Sequence, residues 1–436
     1  MNSSEPSKPR AAVHTLGCRL NQAESSIMEK GLEDRGWDLA DFKDQADLAI
    51  INTCTVTSKA DSDCRASIRA FVRRNPGAFV AVVGCYSQMG YKQIAEIPGV
   101  DLIIGNQDKL QVLDYVKLGK NDTPLVIRDR IVREDFVIDT IGQSDSRTRA
   151  NLKIQDGCDF MCTFCIIPMA RGRARSRDLA NLVEEARALH AQGFKEIILT
   201  GVNVGTYDNS GCDIVGVVDA VAANAPGVRI RISSIEPTTI PDGLLTRMAD
   251  PAHPLVPYLH LPLQSGSDKV LEIMKRRYSR GEWLAFVQDA AARVPDLCVG
   301  TDVMVGMAGE DDDAFAETAE FLAQAPVAYF HVFTFSERPG TPAEKMSGKV
   351  EEPVKQRRNA VLRRLSERRR EEFQKSFLGR EMTVLFESLA DGFWSGYTAN
   401  FIRVAVADPG YSLENCLAKV RLDSVTADFV TGTLVE

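Results

Sequence analysis

The sequence contains no long hydrophobic run, no internal repeat and no low-complexity segment. No stretch approaches the ~18 consecutive apolar residues that a membrane-spanning helix needs, and residues 1–10 are polar. An excess of positive charge is also missing, because 52 Lys and Arg residues against 60 Asp and Glu residues give a net charge of −8. We therefore expect a cytoplasmic protein without membrane contact, whose binding of any nucleic acid requires a local basic surface.

The composition that is present is typical of a folded globular protein, with 44% hydrophobic and 26% charged residues. A length of 436 residues predicts two to four domains at roughly 100–200 residues each. In the reducing compartment expected here, the 10 cysteines are better interpreted as metal ligands, reactive thiols or core residues than as disulfides.

The first third of the chain predicts a doubly wound α/β domain over residues 1–141. Short apolar runs that are typical of buried parallel strands alternate with helical patterns. The strands are expected at 11–16, 48–53 and 79–84, with weaker ones at 101–104 and 125–127.

A second alternating series predicts a partial (βα)6 barrel within a domain over residues 142–378, because a full eight-unit barrel needs more chain. This domain includes a long amphipathic helix at about 354–378. From residue 379 the pattern changes to alternating strands at 382–388, 396–406 and 418–422, which predicts a small β-barrel over 379–436.

Three cysteines, Cys158, Cys162 and Cys165, follow the first strand of the second domain in the sequence GCDFMCTFC at 157–165. Three thiolates on one loop can hold three irons of a cubane cluster and leave the fourth iron open to a ligand. Zinc is the alternative, but structural zinc prefers four protein ligands and no fourth Cys or His lies nearby in sequence.

A second set, Cys18, Cys54 and Cys85, is dispersed along the chain, but each member directly follows a predicted strand. Since the carboxyl ends of parallel strands share one sheet edge, these thiols are expected to converge and to hold a second cluster. Buried structural cysteines are the alternative. Cys64 is the one further competitor as a ligand of this cluster, although packing is the favoured interpretation.

The strongest local excess of positive charge lies between residues 354 and 380, a segment that contains 10 basic and 3 acidic residues. This balance suits phosphate binding, and a solvated helix is the alternative. The proposed contacts are Arg363, Arg364, Arg368 and Arg369. A second basic stretch, Arg171 to Arg177, is open to two interpretations, contact with phosphates or anchoring of the cysteine loop through carboxylates.

The loop of Cys158, Cys162 and Cys165, with Phe164 before the last cysteine, resembles the radical S-adenosylmethionine (SAM) signature. Together with TLGCRLN at 15–21, NTC at 52–54, VGC at 83–85, HLPLQSGS at 260–267 and GTD at 300–302, it resembles the methylthiotransferase family. The resemblance implies two 4Fe-4S clusters, SAM as cofactor, and radical chemistry in which no side-chain acid or base is obligatory. It also implies a tRNA-binding TRAM barrel, an electron donor of flavodoxin or ferredoxin type, and an unidentified sulfur donor.

The residues flanking Cys18 and Cys54 resemble the branch that acts on N6-threonylcarbamoyladenosine at position 37 of tRNA. Isopentenyladenosine in tRNA, or an aspartate of a ribosomal protein, is the alternative target. A non-catalytic iron–sulfur protein that binds RNA is the alternative of another class. Residues at or just after predicted strand ends are candidates for SAM contact. They are Gly201, Asn203, Ser233, Glu236 and Gln264.

Overall fold

The computed structural model describes residues 8–117, 119–143 and 148–435, which form three units in chain order. The first unit is a parallel sheet with helices on both faces. Its strands are β1 (Arg10–Thr15), β2 (Asp38–Leu39), β3 (Leu48–Thr53), β4 (Phe79–Gly84), β5 (Leu102–Ile104) and β6 (Leu125–Ile127). Its helices are α1 (Arg19–Asp34), α2 (Ser58–Arg74), α3 (Cys85–Met89), α4 (Tyr91–Ala95) and α5 (Val112–Tyr115), with a 3₁₀ turn at Lys109–Gln111.

The strand order of this sheet is β2-β1-β3-β4-β5-β6, so the direction of winding reverses at β1. β3 and β4 are completely buried, because α1 and α2 cover opposite faces of the sheet. This confirms the doubly wound domain. The crossovers from β1 and β3 leave in opposite directions, and in such sheets ligands bind in the crevice at the carboxyl ends of those strands.

The second unit is an open barrel of six parallel strands. Two three-stranded sheets, β11-β10-β7 and β12-β13-β14, are joined by bridges between Ile230 and Leu255 and between Ser234 and His260. The strands are β7 (Arg149–Lys153), β10 (Glu196–Thr200), β11 (Arg229–Ile232), β12 (Tyr258–His260), β13 (Cys298–Val305) and β14 (Tyr329–Thr334), with a small antiparallel pair β8 (Gln155–Asp156) and β9 (Arg175–Ser176). The (βα)6 prediction is confirmed.

The helices of this unit surround the barrel and close its apolar core. They are α6 (Ile167–Arg171), α7 (Leu179–Ala191), α8 (Ile214–Asn224), α9 (Asp242–Ala249), α10 (Asp268–Ile273), α11 (Arg280–Arg293) and α12 (Asp312–Gln324), with 3₁₀ turns at Val204–Thr206, Pro237–Thr239 and Pro342–Lys345. The long helix α13 (Glu352–Lys375) then packs on β14, where Leu362 and Leu365 enter the core. Ser366 donates its hydroxyl to the Phe330 carbonyl, which fixes the helix against the strand.

The third unit is a closed barrel of β15 (Glu381–Ala390), β16 (Phe393–Thr398), β17 (Arg403–Ala407), β18 (Leu417–Val425) and β19 (Val430–Leu434). The prediction of one strand at 396–406 is wrong. A turn at 399–402 divides it into β16 and β17, with Phe401 at a φ of +67° and the Thr398 hydroxyl accepting from the Ile402 N–H at 2.9 Å. A hydrogen bond to the Thr398 side chain stabilises this turn, which contains no Gly or Pro, so the sequence pattern did not predict it.

None of the helices in the described residues is long and apolar enough to cross a membrane. The predicted connection between the first two units includes residues 144–147, which lie outside the described residues.

Candidate functional site

Cys18, Cys54 and Cys85, here called the N-terminal triplet, follow β1, β3 and β4 at one edge of the first sheet. Gly17 and Gly84 turn the chain there with φ of +104° and +99°. A Cβ on Gly17 would lie 2.6 Å from the Cβ and 2.9 Å from the Sγ of Cys54, so these loops approach closely only because Gly17 has no side chain. The structure therefore brings together the three loops that carry the triplet.

Asparagines hold these loops in place. The Asn21 amide donates to the carbonyls of Leu16 at 2.8 Å and Thr53 at 2.9 Å, which ties the loop of Cys18 to the end of β3. The Asn106 Nδ2 lies 3.5 Å from the Cys85 Sγ and donates to it. Amide N–H donors to sulfur are typical of ligands that bind iron–sulfur clusters.

Cys158, Cys162 and Cys165, here called the central triplet, lie on the loop between β8 and α6. The Cys165 N–H donates to the Cys162 carbonyl at 3.1 Å, which curls the loop around its sulfurs. The Arg276 Nη1 donates to the Cys162 Sγ at 3.3 Å. Arg276 also pairs with the Glu236 carboxylate, so its positive charge is balanced.

The chemistry of both triplets fits iron–sulfur clusters. Burial raises the pKa of Cys54 and Cys165 to about 12 and that of Cys158 to about 11, so these thiols ionise at neutral pH only when a cation or metal compensates them. N–H donors that can stabilise a thiolate reach a sulfur in each triplet, from Asn106 and from Arg276.

The spacing of the sulfurs favours a cluster over a single zinc ion. Among the described residues, the one group of three metal-binding side chains whose ligand atoms all lie within 4.8 Å of one another is His260, Asp302 and His331. Neither cysteine triplet is that compact. Tetrahedral zinc with Zn–S bonds of about 2.3 Å would bring its thiolates to about 3.8 Å from one another.

A cavity of about 1080 Å³ joins the two triplets. Cys18 and Cys54 of the N-terminal triplet and Cys165 of the central triplet lie on its wall. All three units line it, since Tyr397 and Phe401 of the third unit also face it. Both proposed clusters are therefore accessible from one cavity.

Three of the five residues proposed to contact SAM lie on the wall of this cavity, namely Gly201, Ser233 and Gln264. The Ser233 hydroxyl is buried and has no hydrogen-bond partner among the described residues, so it is free to bind a ligand. Gln264 has a φ of +74°, a strained conformation for a residue with a side chain, and such strain is common at functional sites.

The other two, Asn203 and Glu236, do not line the cavity. The Asn203 Oδ1 accepts from the Glu236 N–H and the Thr239 hydroxyl, both at 3.1 Å, and the Glu236 carboxylate pairs with Arg276. The backbone N–H groups of Val202 and Asn203 donate to the Gln155 side chain. The Asn203 Oδ1 and the Glu236 carboxylate therefore stabilise the strand ends and the central triplet, whereas the buried Asn203 Nδ2 has no hydrogen-bond partner among the described residues.

The basic stretch after the central triplet pairs with carboxylates, which decides between the two interpretations left open by the sequence. Arg173 pairs with Asp159, Arg175 approaches Asp156 and Arg177 pairs with Glu185.

Arg171 is completely buried and reaches Glu24 and Asp156 at the interface of the first two units. Burial alone would raise the pKa of Glu24, but Arg171, Lys109 and Lys153 outweigh it and hold that pKa well below its ordinary value. Burial lowers the pKa of Lys109 to about 8, so it stays mostly protonated at neutral pH. Glu24 and Lys109 therefore form a charged pair inside the protein.

The four arginines of α13 proposed to bind RNA do not share one surface. Arg363, Arg364 and Arg368 are exposed, whereas Arg369 donates to the Ala325 carbonyl at 2.9 Å and pairs with Glu372. The helical spacing places Arg363 on the same side as Arg370, seven residues later, and Arg364 and Arg368 on another side.

Sequence reasoning missed two groups on the cavity wall. Arg370 lies over the Tyr329 ring at 5.5 Å, and the His260 Nε2 lies 3.2 Å from the Asp302 carboxylate beside His331. Arg370 belongs to the basic stretch that marked α13 in the sequence. His260 and Asp302 belong to the family motifs, but only the barrel brings them next to His331.

Comparison with known proteins agrees with this geometry. The family described as "Radical SAM superfamily" matches residues 152–322, and the one described as "Uncharacterized protein family UPF0004" matches residues 10–105. A radical S-adenosylmethionine methyltransferase, TsrM, from Kitasatospora setae has a structure with a TM-score of 0.56 at 14% identity, with 77% of each chain covered. This likeness shows a shared fold.

Curated relatives align over most of the chain. "Threonylcarbamoyladenosine tRNA methylthiotransferase MtaB" from Bacillus subtilis is 36% identical over 407 residues, which cover 90% of this chain and 89% of the relative. "tRNA-2-methylthio-N(6)-dimethylallyladenosine synthase" from Desulfotalea psychrophila is 32% identical, with 87% and 88% covered.

The open barrel and the cysteine loop that follows its first strands define a radical SAM enzyme. Because relatives above 30% identity align with it nearly from end to end, the chain belongs to the radical SAM methylthiotransferase family.

Proposed function

We propose that this protein adds a methylthio group to carbon 2 of N6-threonylcarbamoyladenosine at position 37 of tRNA. Five relatives at 32–36% identity are named threonylcarbamoyladenosine tRNA methylthiotransferase, and three at 30–32% are named for dimethylallyladenosine. The residues around Cys18 and Cys54 agree with the same branch.

The single observation that carries the proposal is the cavity shared by the two triplets. Methylthiolation needs a sulfur source and a radical source that act on one carbon, and sulfurs of both triplets reach the wall of one cavity. A base inside folded tRNA is inaccessible, so the target nucleotide has to leave the stack and enter this space. Its volume of about 1080 Å³ is sufficient for a nucleotide next to SAM.

Each triplet has its own cofactor in this proposal. The central triplet binds the 4Fe-4S cluster that holds SAM, with Gly201, Ser233 and Gln264 on the adjoining wall, and the N-terminal triplet binds a second 4Fe-4S cluster. The cofactors supply the radical and the methylthio chemistry. The chain supplies thiolates, orients the target carbon and excludes water from the space between the triplets.

The charge and shape of the cavity suit a nucleotide. Apart from the buried, ion-paired Arg171, three arginines, Arg19, Arg370 and Arg403, line it against two carboxylates, Asp302 and Asp428. Its wall is therefore net positive although the chain is net negative. The stacked rings of Tyr397 and Phe401, with centroids 4.8 Å apart, place an aromatic surface from the third unit on the same wall.

We further propose that α13 and the third unit dock tRNA, with Arg363, Arg364 and Arg368 as exposed phosphate contacts. The domain limits 1–141, 142–378 and 379–436 then correspond to a cluster domain, a radical domain and an RNA-binding barrel. The external reductant expected in this proposal is of flavodoxin or ferredoxin type.

The test is an anaerobic assay of the reconstituted protein with SAM, dithionite and three tRNA substrates. These carry threonylcarbamoyladenosine, isopentenyladenosine or unmodified adenosine at position 37. We expect 5′-deoxyadenosine and a methylthio product with the first tRNA, and the same result for Cys416→Ala, which removes an exposed cysteine outside both triplets. Product with isopentenyladenosine alone would assign the other branch, and RNA binding without SAM cleavage would exclude catalysis.

A further inference from the structure

A buried set of charged residues lies between the first two units, directly behind the N-terminal triplet. This set, here called the interface network, consists of Glu24 of α1, Lys109 of the 3₁₀ turn, Lys153 of β7, Asp156 of β8 and Arg171 of α6. Every one of these side chains is at most 4% exposed. Solvent therefore does not screen or compensate the charges of the network.

The ion pairs inside the network are short. The Glu24 carboxylate accepts from Lys109 at 2.5 Å, Lys153 at 2.8 Å and Arg171 at 3.0 Å. The Asp156 carboxylate accepts from Lys153 at 2.7 Å and Arg171 at 2.9 Å. Three cations of the network thus share two carboxylates, and Arg175 also approaches Asp156 at 3.7 Å. At least one buried positive charge is therefore left without an anion inside the network.

Two asparagines connect the network to the N-terminal triplet. Arg171 donates to the Asn21 Oδ1 at 2.5 Å, and Lys109 donates to the Asn106 Oδ1 at 2.7 Å. The Asn106 amide in turn donates to the Cys85 Sγ at 3.5 Å. The Asn21 Oδ1 lies 3.8 Å from the Cys18 Sγ.

An uncompensated buried cation is strongly unfavourable, so the fold needs an anion beside the network. Three thiolates on a four-iron cluster supply one, because their charges outweigh that of the iron–sulfide core. Reduction by one electron makes the cluster more negative. A buried positive charge and an N–H donor to sulfur therefore favour the reduced state.

We propose that the interface network compensates the negative charge of the cluster on the N-terminal triplet and thereby raises the reduction potential of that cluster. Asn106 is the positioning residue, because its amide bonds to Lys109 on one side and to the Cys85 sulfur on the other. This inference rests on the proposed second cluster. Among the described residues, the central triplet has no equivalent excess of buried charge, since Arg276 is paired with Glu236 and the nearby Arg173 and Arg277 are exposed to solvent.

The experiment uses the full chain with Cys158, Cys162 and Cys165 changed to Ala, so that only the N-terminal triplet can hold iron. Anaerobic reconstitution is followed by a dithionite redox titration monitored by EPR. In this background Lys109→Met removes one buried charge. Asn106→Leu keeps that charge but removes the N–H donor to Cys85, together with the amide oxygen that accepts from Lys109 and the hydrogen bond to the Ala170 carbonyl. Lys120→Met is the matched control, because it removes a cation paired with Asp101 at the opposite edge of the same sheet.

We expect Lys109→Met to lower the ratio of reduced to oxidised cluster, measured at the parent's midpoint potential, at least about tenfold, which is about 59 mV for one electron. Asn106→Leu should lower the ratio about threefold or more, and Lys120→Met should leave it unchanged. Loss of iron from a Lys109→Met chain with unchanged circular dichroism, while Lys120→Met retains its iron, would equally support charge compensation.

Two results overturn the inference and are distinguishable. If Asn106→Leu, and Lys109→Met wherever it folds, retain about four irons with the parent's midpoint potential, the interface network has no influence and the proposed function stands. If the parent binds no iron at all, the second cluster is refuted, and the proposed function fails together with this inference.

Discussion

The two cysteine triplets are assembled by different means, although both have sulfurs on the wall of one cavity. The central triplet occupies a single loop between residues 158 and 165, and local backbone hydrogen bonds shape it. The N-terminal triplet comes from three strand ends between residues 18 and 85, and only the parallel sheet brings them together. A local motif can be identified by its spacing, whereas a dispersed one requires the topology.

The two triplets also differ in the charge that surrounds them. Arg276, the buried cation next to the central triplet, is neutralised by Glu236, and the neighbouring Arg173 and Arg277 are exposed to solvent. The interface network instead brings an excess of buried positive charge to the N-terminal triplet. We therefore expect the N-terminal cluster to be easier to reduce than the central one before SAM binds. This difference in reduction potential agrees with separate roles for the two proposed clusters.

The largest expected effect separates the triplets by function. Cys162→Ala removes a ligand of the proposed SAM-binding cluster, so formation of 5′-deoxyadenosine should fall to background. Cys54→Ala should still form 5′-deoxyadenosine but no methylthiolated tRNA. Chromatography of the nucleoside products with mass spectrometry measures both compounds, and full methylthiolation by Cys54→Ala would remove any essential role for the N-terminal triplet.

A smaller effect is expected from the residue that supports the central triplet. Arg276→Leu removes the N–H donor to Cys162 and leaves Glu236 unpaired, so the rate of SAM cleavage should fall about 10–100-fold. Arg280→Leu is the control, because Arg280 forms its ion pairs with Asp268 and Glu317 on the surface. Equal rates for the two variants would show that Arg276 has no part in holding the central triplet.

The next prediction separates RNA docking from the chemistry of either triplet. Reversal of the exposed Arg363, Arg364 and Arg368 to Glu should weaken tRNA binding and reduce its dependence on salt by about one unit of slope per lost phosphate contact. SAM cleavage without tRNA should be unaffected. Fluorescence anisotropy at several salt concentrations measures affinity and slope.

The matched control for this experiment reverses three exposed cations of the first unit, Arg35, Lys92 and Lys117. If both triple variants change the salt slope equally, α13 is only a solvated face and contributes no specific contact.

The smallest effect tests whether Cys64 is a further ligand of the cluster on the N-terminal triplet. The Cys64 thiol S–H donates to the Cys54 carbonyl at 3.4 Å, and Cys64 lies on the completely buried face of α2. Cys64→Ala should therefore retain both clusters and full activity, with a loss of about 1 kcal/mol in the free energy of unfolding from the small cavity. Iron analysis and denaturant unfolding measure the two quantities, and a loss of iron comparable to that of Cys54→Ala would make Cys64 a ligand.

Much of the fold follows from periodicity and strand ends. The fully buried runs of β3 and β4, the six barrel strands and the long helix α13 have strong patterns, so their existence was predictable. The turn between β16 and β17 was not, because it depends on hydrogen bonds of Thr398 rather than on Gly or Pro.

The site was only partly predictable for a related reason. The cysteines were identifiable because thiols at strand ends have a restricted set of uses. Asn203, Glu236 and Arg369 instead form contacts with residues distant in sequence, which no local pattern reveals. The same holds for the interface network, whose members come from two units.

The most direct test of the account is the iron and sulfide content of the anaerobically reconstituted protein, measured with Mössbauer spectroscopy. We predict about eight irons per chain in the wild type and about four in each variant that has one triplet changed to Ala, all in four-iron clusters. A wild type that saturates at about four irons, or a Cys18, Cys54 and Cys85 triple variant that still holds about eight, would contradict the assignment of one cluster to each triplet.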